Sequence, residues 1–160
     1  MHYHKNKKRG FTVVELLIVI LISVVLMKIV VTGFGSLSNS SSLNKDASIV
    51  LSFVEKARAK SINSVNGTEH GVHFTSTSVQ VFSGAAYSSG VVEDTYTLSS
   101  KSTISAINLP SSATSLYFAK LTGNASISGN VVSGNVVVSP ATGGAGKTIM
   151  IYATGVSEIQ

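Results

Sequence analysis

At 160 residues the chain has room for one anchor and one modest globular domain. Its formal charge of +5 is deceptive, because four of the twelve Lys and Arg lie at positions 5–9. From Phe11 onward eight basic side chains oppose seven acidic ones, a net of +1, which excludes a nucleic-acid-style electrostatic footprint. The absence of cysteine excludes disulfides, thiolate metal sites and thiol nucleophiles.

The basic stretch Lys5, Lys7, Lys8 and Arg9 ends at Gly10, and an apolar run follows from Phe11 to Val31. Those 21 residues make a helix of about 31 Å, enough to span a hydrocarbon core. A secretory signal has a shorter apolar region, with the small cleavage-site residue after it; here Gly10 comes before. Cleavage between Gly10 and Phe11 would remove the basic leader and leave the membrane helix on the protein. Retention of basic residues on the cytoplasmic side predicts a single-pass protein of the cytoplasmic membrane, its N-terminus inside and its C-terminal domain outside. Two charges interrupt the span. Lys28 lies near the far end, where its stem carries the ammonium out to the interface. Glu15 sits four residues inside the segment. A carboxylate near a helix centre in a bilayer costs about 2.5–3.5 kcal/mol and marks function by default.

Gly33, Gly35 and the Ser/Asn-rich stretch Ser36–Ser42 predict a loosened link near 33–44. Leu43, Ala47, Val50, Val54 and Ala57 then recur at three- and four-residue steps, with Leu51 and Phe53 beside the stripe. Lys45, Glu55, Lys56 and Lys60 fall largely on the other side. The pattern predicts an amphipathic helix over about 44–63, laid on a sheet. After Asn66-Gly67 the period becomes two. Strands are expected at 71–74, 79–82, 95–98, 103–109, 115–121, 124–128, 131–138, 147–152 and 155–159. Gly-Asn pairs at 123, 129 and 134 mark turns or bulges. Nine short strands with local connections argue for antiparallel sheet. The fold class is therefore α+β, a long N-terminal helix on a β-rich domain. The domain scheme is a leader at 1–10, a transmembrane helix at 11–34 and an outward globular domain at 35–160, with sheets at about 70–160.

No catalytic constellation, cofactor site or metal site is expected. Ala141 to Thr148 fits a relaxed phosphate-loop pattern, but Ile149-Met150-Ile151-Tyr152 is strand-like rather than a helix start, and 13 residues follow Lys147. Strand alternation puts His70 and His73 on opposite faces, which argues against a metal pair. No serine has an acid–histidine partner to nominate. The triplets at Asn39, Asn66 and Asn124 match the N-glycosylation pattern, as is common by chance in a Ser/Thr-rich chain.

The start Gly10-Phe11-Thr12-x-x-Glu15 resembles the processing site of type IV prepilins and pseudopilins. Further on, Ala57-Arg58-Ala59-Lys60-Ser61-Ile62, His70 to Phe74, Val79-Gln80-Val81-Phe82 and Ile149-Met150-Ile151 with Gly155 resemble the globular part of H-type pseudopilins and FimT-like minor pilins. The resemblance implies a pilin-like fold and a non-enzymatic subunit of a type IV pilus-like or type II secretion filament. It implies cleavage after Gly10 by a prepilin peptidase, methylation of the new Phe11 amine, and neutralisation of such an amine by Glu15 as helices pack. The amine could belong to a neighbouring subunit or to the same chain. The implied partners are other pilin or pseudopilin subunits, the peptidase, the inner-membrane assembly platform and membrane lipid. A second reading is a membrane-anchored binding module that captures DNA or a secreted substrate. DNA-binding FimT-like proteins resemble one another in a C-terminal glycine followed by arginines. Here Gly155 is followed by Val156-Ser157-Glu158-Ile159-Gln160, and residues 35–160 carry seven basic and six acidic side chains, so nucleic acid is not an expected partner.

Overall fold

The computed structural model describes residues 11–160, and of residues 30–38 the backbone alone. Helix α1 runs Val13–Ile62, fifty residues. The expected link is therefore absent: Gly33, Gly35 and Ser36–Ser42 are helical. Gly costs about 1 kcal/mol and Ser less in a helix interior, but extending an established helix gains a hydrogen bond for each residue fixed. The chain divides into two compact units between Ser38 and Asn39.

In the second unit the helix stripe is buried as its period requires. Leu43, Ala47, Val50, Val54 and Ala57 form one core with Val72, Phe74, Val79, Val81, Leu116, Phe118 and the apolar residues of a second sheet, including Val136, Val138, Ile149 and Ile151. Leu51 and Phe53 pack against its margin. The last helical turn is tied to the first strand by Ser61. Its Oγ accepts from the His70 N–H at 2.7 Å and donates to the His70 carbonyl at 3.1 Å.

Ten strands follow: β1 His70–Phe74, β2 Ser78–Ser83, β3 Val91–Thr97, β4 Ser102–Asn108, β5 Ser115–Phe118, β6 Ala125–Ile127, β7 Asn130–Val131, β8 Gly134–Pro140, β9 Lys147–Ile151 and β10 Ser157–Ile159. One sheet has the order β3-β2-β1-β5-β6-β7 and the other β10-β9-β8-β4. Every pairing is antiparallel. Two differences from the sequence reading have local causes. The run 131–138 is two strands, β7 and β8, because the chain leaves one sheet for the other around Val132-Ser133. β3 begins at Val91 rather than Thr95. It is an edge strand whose Glu93 and Asp94 break the apolar alternation, and edge strands tolerate charge.

Registers set what lies above the middle of the larger sheet. Across β1 and its two neighbours, Gly71 faces Phe82 and Tyr117, while His73 faces Gln80 and Ser115. A Cβ on Gly71 would sit 2.4 Å from both the Leu116 carbonyl oxygen and Phe82 Cζ, so only glycine lets the Phe82 ring lie there.

Candidate functional site: the N-terminal segment and the domain surface

Of the sites expected from sequence, Gly10 lies outside the described residues. Phe11 precedes the helix, 81% exposed. Thr12 starts the helix: its carbonyl accepts the Leu16 N–H at 3.2 Å, and its Oγ1 accepts the Glu15 N–H at 3.2 Å. Thr12 is thus the N-cap and Glu15 the third helical residue. That is the Thr-x-x-Glu spacing of a capping box, with an acid where the helix dipole favours one. The sequence reading missed this cap, although the spacing is its signal. Glu15 is exposed, as is Lys28.

From Phe11 to Ile29 every large apolar side chain is at least half exposed, on all faces of the helix. A helix apolar all round belongs inside a protein core, a helix bundle or a membrane. Among the described residues no helix is long and apolar enough to cross a membrane. The span expected at 11–34 runs into residues 30–34, whose side chains lie outside the description.

The two domain histidines fall on opposite faces of β1. His70 is fully buried under the helix, with Nε2 3.4 Å from Glu93 Oε1, and Glu93 also accepts from Lys60 at 2.6 Å. His73 lies on the other face, where Tyr87 stacks on it at 3.8 Å and 11°. Among the described residues no group of His, Asp and Glu could hold a metal ion. The glycine-rich segment 141–146 is the connection from β8 to β9, with Gly143 and Gly144 at φ +83° and +123°, and Lys147 opens a strand rather than a helix.

Asp46 was not singled out in the sequence. It is fully buried and accepts from Tyr96 Oη at 2.6 Å, Ser99 Oγ at 2.7 Å and the Ser99 N–H at 3.2 Å. Burial alone would raise its carboxyl, but the donors Tyr96 and Ser99 outweigh it and hold the group below its usual range. Burial and the bond to Asp46 push the Tyr96 phenol up to about 12. The domain's cations are largely engaged: Lys56 pairs with Asp94, Lys60 with Glu93, Arg58 donates to the Thr154 carbonyl and Lys120 to the Gly67 carbonyl.

The described residues thus combine a helix start with an acid in its first turn, an all-round apolar stretch and an α+β domain. Residues 5–27 match the prokaryotic N-terminal methylation motif. The fold is similar to that of the minor pseudopilin EpsH from the type 2 secretion system of Vibrio cholerae, with a TM-score of 0.55 over 74% of this chain and 96% of that one. The two are 11% identical, so the likeness is one of fold. No curated protein sequence matches the chain significantly. The chain thus carries a prokaryotic N-terminal methylation motif ahead of a fold like that of a minor pseudopilin.

Proposed function

We propose that the chain is a pseudopilin or minor pilin, cut after Gly10 and assembled through its N-terminal helix into a type IV pilus-like or type II secretion filament. The observation that carries this reading is the methylation motif at 5–27 leading into a helix whose apolar side chains are exposed on every side. Burying such a surface gains roughly 25 cal/mol for each Å² removed from water or, inside a membrane, is replaced by helix–helix packing. Before assembly the helix spans the cytoplasmic membrane from about 11 to 34, with the leader inside. Cleavage frees the Phe11 amine, a cation at the depth of Glu15. A carboxylate and an ammonium that share a low-dielectric site compensate each other, and an incoming subunit's amine pairs with a seated subunit's Glu15. The platform and the ATPase that drive assembly are other proteins, and this chain contributes surface rather than chemistry.

Processing is the direct test. Intact mass of the membrane form should give a chain that begins at a methylated Phe11, and Gly10→Val should leave the leader attached by crowding the cleavage site. A chain beginning at Met1 in the wild type, or beyond Val31, would overturn the reading.

A further inference from the structure

The outer face of the larger sheet, opposite α1, carries an open groove of about 330 Å³ that the assembly reading does not use. Its floor is β1 and β5, with Phe82 of β2. Its walls are the segment 85–88, residues 113–114 before β5, and Ile127-Ser128 at the end of β6. Three features restrict what fits. First, no lining residue is Lys, Arg, Asp or Glu, and burial holds the His73 imidazole below its usual range, so the groove is uncharged near neutral pH. That disfavours phosphates, nucleic acid and charged peptides. Second, β1 is paired on both sides, with β2 and β5, and β5 with β1 and β6. The floor offers no free backbone edge onto which an extended peptide could add as a strand. Recognition must come from side chains. Third, those side chains combine ring surfaces (Phe82, Tyr87, Tyr117) with the hydroxyls of Ser88, Thr114, Ser115 and Ser128. The His73 Nδ1 is buried and has no hydrogen-bond partner among the described residues.

We infer that this groove binds a neutral saccharide unit through the Tyr87 and His73 rings and the surrounding hydroxyls. A sugar ring presents a flat C–H face to an aromatic ring and hydroxyls at its edge, which matches a lining that mixes rings with hydroxyls. Tyr87 covers the imidazole, its Oη donating to Gln80 Oε1 at 2.6 Å and its ring meeting Phe82 edge-on at 5.5 Å. Since Tyr87 lies over the imidazole, an entering sugar displaces that ring sideways, and a sugar hydroxyl donates to the unpartnered Nδ1. The inference is independent of filament assembly.

The test uses the full chain in phosphocholine micelles, a detergent without a sugar headgroup. Maltose, cellobiose, lactose and chitobiose are titrated while the histidine imidazole NMR signals and tyrosine fluorescence are followed. At least one disaccharide should saturate with a Kd of about a millimolar, with the change centred on His73. Tyr87→Ala should weaken that binding about tenfold or more, and Thr114→Trp, on the exposed rim, should block it. Should Tyr87→Ala unfold the domain by circular dichroism, Thr114→Trp alone decides. Failure of all four sugars to saturate, or binding unmoved by Thr114→Trp, would refute the site. So would saturable binding of a Phe- or Pro-containing tripeptide where no sugar binds.

Discussion

Glu15 and Asp46 are two carboxylates with opposite situations. Glu15 is exposed on the apolar stretch of the helix, and its proposed role needs a partner from outside the chain. Glu15→Ala should leave insertion intact, because the segment only becomes more apolar, yet lower incorporation into filaments. Glu15→Asp should be intermediate, the charge kept but the reach one methylene shorter. Co-purification with the major subunit at matched membrane levels measures this, and equal incorporation of the alanine form would mean that apolar packing alone drives assembly. Asp46 has all its partners within the domain. Its carboxyl is depressed in the folded state, so its contribution to stability is fully present above the ordinary carboxylate value near 4 and is lost as pH falls through the lower folded value. Asp46→Ala strands the Tyr96 and Ser99 donors and should cost about 2–3 kcal/mol at pH 7. Urea midpoints of the two forms should converge as pH falls below 4, and a constant gap would show that the charge is not what matters.

At the scale of elements, α1 tolerates its glycines whereas the β1–β2–β5 triad requires one. Gly33 and Gly35 read as a helix stop but are carried through, because nothing in their helical conformation requires a different backbone. Gly71 was read only as part of a strand, yet its missing side chain admits Phe82 and lets β5 approach. Gly71→Ala should therefore cost about 3 kcal/mol or prevent folding, far beyond what strand propensity implies. Thermal melts of the domain would check it, and a loss below 1 kcal/mol would mean that Phe82 moves aside at little cost. The edge strand β3 explains the four residues missed at 91–94. Glu93 and Asp94 look like loop residues until Lys60 and Lys56 of the helix are set opposite them.

For the whole molecule, the second compact unit has its own core, which draws on the helix from Leu43 onward and on both sheets. A fragment from Asn39 should be soluble and monomeric, with a circular dichroism spectrum of mixed helix and excess strand. An unfolded spectrum would mean that the unit depends on the segment before it. The same fragment should not shift DNA at physiological salt, because its Lys and Arg are spread among acids and carbonyls rather than clustered. A tight shift that weakens steeply with added salt would favour nucleic-acid capture instead.

Signals carried by nearest neighbours along the chain were legible without a structure. The apolar run from Phe11, the helix stripe from Leu43 to Ala57, the change to period two after Asn66-Gly67 and the opposite faces of His70 and His73 each depend on one element's own pattern. Periodicity reports which face is buried whatever the burial partner is. The tertiary structure alone decided what depends on two distant segments meeting. Asp46 acquires its role from Tyr96 and Ser99, some fifty residues away, and Glu93 from Lys60. The run 131–138 breaks because its halves join different sheets. The groove over β1 exists because Tyr87, Thr114 and Ser128 arrive from three separate connections. No local pattern encodes such meetings, since each residue type involved is as common on a solvated loop.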